Sequence, residues 1–158
     1  MVCAGECMTL TFLGTSACRF DNGDDTVHYL MNDSILIDTG WFATANLKGV
    51  GVDPLSVKHL LFTHLHHDHY LGLPGFLFYL KCYKASGSTT IYGPAADVRR
   101  VVGLAEGLLQ RDRFYPDTPE APVVELPDQG SMEIDDLTIS YITAPHPVDA
   151  RSYLFEAE

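Results

Sequence analysis

The chain lacks any apolar run long enough to cross a bilayer as a helix. The longest, residues 70–80, has 11 residues, against the roughly 20 that such a helix needs. Positive charge is scarce: Lys+Arg total 10 against 21 Asp+Glu, a net charge of −11. That excludes a broadly basic nucleic-acid-binding surface, though not a local basic patch. No block of five or six like charges occurs. Charged residues make up 20% of the chain against 46% hydrophobic, which excludes a disordered acidic tail and leaves enough apolar material for a core. The four cysteines include no CxxC pair, so a zinc ribbon or a thioredoxin-type redox site has no basis. The first residues lack a basic segment followed by a long apolar one. An intracellular, cytoplasmic setting with reduced cysteines is therefore expected. Neither GxxxxGK[ST] nor GxGxxG occurs. Gly72 and Gly93-Pro94 accordingly read as turns, not as a phosphate cradle.

What is present is one domain's worth of chain, 158 residues, rich in short strands. Residues 9–13, 26–30 and 34–38 read as strands, the last two as a hairpin turned at Asn32-Asp33. A loop with a turn at Asn22-Gly23 precedes them. Asp53-Pro54 predicts a short helix, with Asp as cap and Pro at its first position. Residues 58–63 form an apolar strand buried on both faces. Helices are expected at 74–84 and from Pro94 through 109, the second with Val98, Val101, Val102, Ala105 and Leu108 at helical spacing. Residues 111–122 hold three prolines and read as loop. Strands follow at 123–126, 131–134, 137–143 and 152–155. This alternation predicts mixed sheets with helices packed outside them, an α+β fold.

Histidine is concentrated where the chemistry is expected. The string Thr63-His64-Leu65-His66-His67-Asp68-His69 follows the buried strand directly. In an extended segment His64 and His66 point the same way. Two parallel imidazoles suit a borderline metal such as zinc, and Asp68 adds a hard oxygen donor. His69 falls at a helix start and can face the same pocket. His67 lies between the alternating positions and reads as exposed or supporting, whereas His59 and His28 read as packed, hydrogen-bonded histidines. His146 sits between Pro145 and Pro147 just past a strand. The prolines stiffen its presentation, and beside the cluster it becomes the third nitrogen. Arg99, Arg100, Arg111 and Arg113 read as a solvated helix face.

The string THLHHDHYLG resembles the HxHxDH signature of the metallo-β-lactamase superfamily. FLGTS at 12–16, SILIDTG at 34–40, IYGP at 91–94 and HPVDARSYLFE at 146–156 extend that resemblance along nearly the whole chain. FLGT and IYGP look most like the ribonuclease Z and cyclic-phosphodiesterase branch. The resemblance implies a four-layer αββα sandwich with metals at one edge of the sheets. It implies that His64, His66 and His146 bind a first metal, that Asp68 and His69 bind a second, and that Asp38 is a carboxylate holding the site from behind. One or two Zn²⁺ ions are implied, with Mn²⁺ or Fe²⁺ as alternatives.

The family pattern continues to a strand ending in Gly-Asp, whose Asp bridges the metals, and to a later histidine. Neither follows in these residues. Asp149 is the only acid close to His146, but its position does not match the bridging role. Residues 1–158 are therefore expected to form a single domain of this kind, incomplete at the C-terminus, with only its N-terminal part present and its second metal poorly held. The expected activity is hydrolysis of phosphodiester bonds by metal-activated water, with Asp68 orienting the nucleophile or moving a proton. Lactone or thioester hydrolysis on the same fold, and a truncated non-catalytic metal-binding module, are the alternatives. Expected partners are a small-molecule or nucleotide phosphodiester and no membrane. Charge does not support RNA, and homo-oligomerisation through an uncovered sheet face is a further expectation.

Overall fold

Alternation of apolar side chains decides the layering. Successive residues of a strand point to opposite faces, and in β3 (Ile35–Ile37) and β4 (His59–Leu61) both faces are buried. Leu36, Leu60 and Phe62 turn toward one core, Ile35 and Leu61 toward another. A sheet buried on both sides must lie between two layers. The computed structural model, which describes residues 8–19 and 23–157, has that arrangement. Cys3, Cys7 and Asn22 lie outside the described residues.

The first sheet has six strands in spatial order β1 (Leu10–Gly14), β2 (His28–Met31), β3, β4, β5 (Thr90–Pro94) and β6 (Val123–Leu126). The first three are antiparallel and β3 through β6 are parallel. The expected hairpin between β2 and β3 turns at Asn32 and Asp33, both at positive φ (48° and 57°). Such a turn matches the twist of the strands it joins. Helices α1 (Ala43–Gly49), the one-turn α2 (His67–Tyr70), α3 (Leu73–Cys82) and α4 (Val98–Leu108) lie in the connections between the parallel strands. Leu47, Phe76, Leu77, Leu80, Val98 and Val101 close the core on that side. Each such buried side chain contributes roughly 1.5–3 kcal/mol. The second sheet is an antiparallel meander of β7 (Gln129–Ile134), β8 (Leu137–Thr143) and β9 (Arg151–Ala157). Its Ile134, Leu137 and Ile139 pack on Met31, Ile35 and Leu61. The α+β sandwich is thus present as helix–sheet–sheet, and the outer face of the second sheet shows Ile142 and Leu154 to solvent. At the other margin, Leu10 and Phe12 stand cross-strand from Met31 and Tyr29 on the inner face, yet Phe12 is 60% exposed.

Two local expectations are corrected, and one helix was not expected at all. The helix α1 carries no cap signal in its own sequence: the Phe42 side chain caps nothing. Its N-terminus is instead capped from a distance by the buried Asp25 carboxylate, which accepts from the Trp41 and Phe42 amides and from Asn46 Nδ2. Gly93-Pro94 does not turn the chain. Pairing with β6 extends β5 through both residues, and the helix begins at Val98. Residues 111–122 are not all loop, since α5 (Arg111–Phe114) forms one turn after Gln110 at positive φ. The cap expected at Asp53 is present, its side chain accepting from the Leu55 amide.

Candidate metal centre

In sheets with parallel strands, ligands gather outside the carboxyl ends of those strands. Asp38 follows β3 directly, and Thr63 and His64 follow β4, with the Asp38 amide bonded to the Leu61 carbonyl. Asp38 is fully buried and sits at φ 57°, in the left-handed region that residues other than glycine enter rarely, aspartate more readily than most. Strain of this kind persists where surrounding bonds over-determine it. Here the Thr63 amide donates to Asp38 Oδ1 (2.9 Å), and the Thr63 hydroxyl donates to Oδ2 (2.7 Å). His69 Nδ1 donates to the same Oδ2 at 2.8 Å.

These bonds settle two tautomers. Thr63 has one hydroxyl proton and gives it to Asp38, so at 3.1 Å its oxygen accepts from His64 Nδ1. His69 gives its Nδ1 proton to Asp38. When neutral, both rings then carry their lone pair on Nε2, the form a metal ligand needs.

His64, His66 and His146 converge. One ring nitrogen of each lies within 4.8 Å of the others. The ring of His146 is 4.2 Å from that of His64 and 4.8 Å from that of His66. Three nitrogens so grouped could hold a metal ion, and among the described residues they form the one such group of three. The His69 ring lies 3.9 Å from that of His64 at a tilt of 52°, and its Nε2 lies 3.7 Å from Asp68 Oδ2. Asp68 and His69 therefore flank the trio, outside that group of three. Two hydroxyls missing from the sequence reading hold this loop. Thr26 donates to the Asp68 carbonyl (2.7 Å) and Thr39 to the His69 carbonyl (3.0 Å). Nothing in sequence spacing marks Thr26, which lies 42 residues from its partner. Gly72 is a close-approach site as well as a chain reversal: a Cβ there would stand 2.6 Å from the Thr39 carbonyl oxygen.

The remaining histidines take the places expected of them. His67 is exposed. His59 Nδ1 meets the Tyr92 hydroxyl at 3.3 Å, and the fully buried His28 donates to the Thr26 carbonyl. Asp149 pairs with Arg151, not with the trio. Arg99, Arg100 and Arg111 are matched by Glu125, Asp97 and Glu120. A cleft of about 580 Å³ between α4 and β6 is lined by such paired charges and by none of the three histidines.

Burial pushes the His64 imidazole down to about 4, helped by the neighbouring histidines. Desolvation also lowers His69, but its bond to Asp38 and the charges of Asp38 and Asp68 outweigh that and leave it above the usual value. Burial lowers His28 and His59. A histidine depressed by folding binds its proton more readily when unfolded, so the unfolded state gains as pH falls. The chelated protein should therefore lose thermal stability between about pH 6.5 and pH 4. His69 acts oppositely: its contribution is complete below pH 6.5 and fades as pH rises through its raised value. Melting temperatures of wild type and His64→Asn across pH 4–8 check this, and the variant should show the flatter acid limb.

Comparison with known proteins agrees with the geometry. The sequence model of the Metallo-beta-lactamase superfamily matches residues 26–157. Ribonuclease Z of Pyrococcus abyssi is 28% identical over 122 residues, covering 77% of this chain and 38% of its own length. The fold is shared with two crystal structures. The metallo-beta-lactamase fold protein YhfI from Bacillus subtilis aligns with TM-score 0.74 and 20% identity, over 94% of this chain and 57% of its own. Human tRNase Z, short form, aligns with TM-score 0.72 and 18% identity, over 94% and 64%. The chain spans about half or less of the length of the curated relatives it matches.

Proposed function

Since the chain belongs to the metallo-beta-lactamase superfamily, we propose that it is a metal-dependent hydrolase whose substrates are phosphodiesters. The observation that carries this reading is the convergence of His64, His66 and His146, one ring nitrogen of each within 4.8 Å of the others. Similarity to ribonuclease Z supports the phosphodiester class. His64, His66 and His146 would hold the metal, which would supply the Lewis acidity for making a nucleophile from water and for polarising a substrate oxygen.

The protein's own part is positioning and proton handling. His64 and His69 enter with their Nδ1 protons committed to Thr63 and Asp38, which leaves Nε2 of the neutral ring as the donor nitrogen. Asp68, half-buried beside His69, is the base that accepts a proton from the nucleophile or returns it to the leaving group. Asp68 and His69 also offer two donors for a second ion. Zn²⁺ is the preferred metal for a nitrogen-rich site, with Mn²⁺ and Fe²⁺ as the alternatives. No helix among the described residues is long and apolar enough to cross a membrane. The free, exposed Cys18 and Cys82 support a cytoplasmic setting. The uncovered Leu10–Phe12 margin supports self-association. It should appear as a concentration-dependent elution volume in size exclusion that Phe12→Ser reduces.

The function is tested with zinc-loaded protein on bis-p-nitrophenyl phosphate, 2′,3′-cyclic nucleotides and acyl lactones. Turnover of the phosphodiesters, abolished by chelation and by Asp68→Asn, is the expected result. Lactone turnover alone moves the chain to the other hydrolase class. Metal bound without turnover of any substrate identifies a binding module.

A further inference from the structure

Arg151 is 3% exposed. A buried guanidinium is costly unless its donors are matched, and five N–H groups in a fixed fork are hard to match. Here Nε donates to the Pro127 carbonyl (2.8 Å), Nη1 to the Ala150 carbonyl (2.9 Å) and Nη2 to the Leu126 carbonyl (3.0 Å). Both terminal nitrogens also donate to the Asp149 carboxylate. The Arg151 amide donates to the Thr63 carbonyl at 2.8 Å. One residue thus ties together the end of β4 just before His64, the corner between β6 and β7, and the last residues of the loop that carries His146. Asp149 extends the tie by accepting from the Ala96 amide just past β5.

That loop leaves β8 and returns to β9 with its base closed by the Ala144 amide on the Ala150 carbonyl. Ala150 in turn forms a bridge with His64. Pro145 and Pro147 stiffen the backbone around His146. They do not set how far the loop stands from β4, which belongs to a different sheet. The acceptors of Arg151 lie at that junction. An apolar residue of similar size would serve packing alone at least as well. What the charged fork adds is a defined distance between the two sheets.

We propose that Arg151, braced by Asp149, is a positioning residue for the metal centre: it sets the place of His146 relative to His64 and His66. The inference rests on the metal-binding reading given above.

The test is a double-mutant cycle on Co²⁺ affinity, measured by calorimetry with the full chain. Arg151→Met is made in wild type and in His146→Ala, with far-UV circular dichroism confirming the fold. If Arg151 acts through His146, its replacement weakens cobalt binding by about 10–100-fold in wild type, the range for groups that orient a ligand. In the His146→Ala background the same replacement costs less than about 2-fold, because effects on one shared partner do not add. The cobalt absorption per bound ion should change with Arg151→Met in wild type, a signature that mere loss of folded protein does not produce. Equal losses in both backgrounds, or no loss in wild type, overturn the proposal. Should Arg151→Met fail to fold, Asp149→Ala is carried through the same cycle with the same criteria. Wild-type protein that takes up no cobalt overturns the metal-centre reading itself. Cobalt uptake with an additive cycle overturns only the role of Arg151.

Discussion

His146→Ala is expected to weaken zinc binding by more than about 100-fold, beyond the 10–100-fold that loss of an orienting group costs. The melting temperature of the chelated protein should stay within about 2 °C of wild type. The two effects separate because His146 is exposed on a loop outside both sheets. Surface changes usually stay within about 0.5 kcal/mol, worth some 1–2 °C in a chain of this size. Asp38→Ala should behave differently. Its carboxylate is fully buried and accepts from Thr63 twice and from His69 once. Removing it leaves those donors unpaired at about 1–3 kcal/mol each, so affinity and melting temperature fall together. Isothermal titration with zinc and thermal melts in chelator read both quantities. Zinc affinity unchanged in His146→Ala would remove that residue from the site.

Glu106→Ala should be among the most destabilising single changes away from the site, at about 3–5 kcal/mol. Lys81 on α3 is 2% exposed, and its ammonium meets the Glu106 carboxylate of α4 at 2.9 Å. Among the described residues neither group has another hydrogen-bond partner. Truncating one leaves the other charged and buried. Replacing both, as Lys81→Met with Glu106→Met, should recover most of the loss, since two apolar side chains need no partner. Urea denaturation of the two single variants and the double variant measures the recovery. A double variant no more stable than Glu106→Ala would show that the pair contributes packing that methionine cannot replace.

Residues close together in sequence make most of the candidate metal site legible. HxHxDH places its donors on one short segment, and the apolar strand before it fixes where that segment emerges. The strands and the two long helices could be read for the same reason, since their periodicities are properties of neighbouring residues. Helix α1 was missed because its cap, Asp25, is 17 residues from Phe42. The extension of β5 through Pro94 was missed because β6 supplies the pairing.

Composition and local spacing were therefore enough to establish an acidic α+β domain with a histidine-rich strand end, and a third imidazole stiffened by prolines far along the chain. Whether that third ring reaches the other two depends on how one sheet lies against the other. The Arg151 junction depends on it too, while the committed protons of His64 and His69 and the hold of Thr26 and Thr39 on the loop depend on which strands of the first sheet lie side by side. Each of these joins residues at least 30 positions apart or bridges two sheets, except the bond from Thr63 to His64. Local pattern carries no information on such distances. They are set when the two faces of one sheet bury their side chains against different layers.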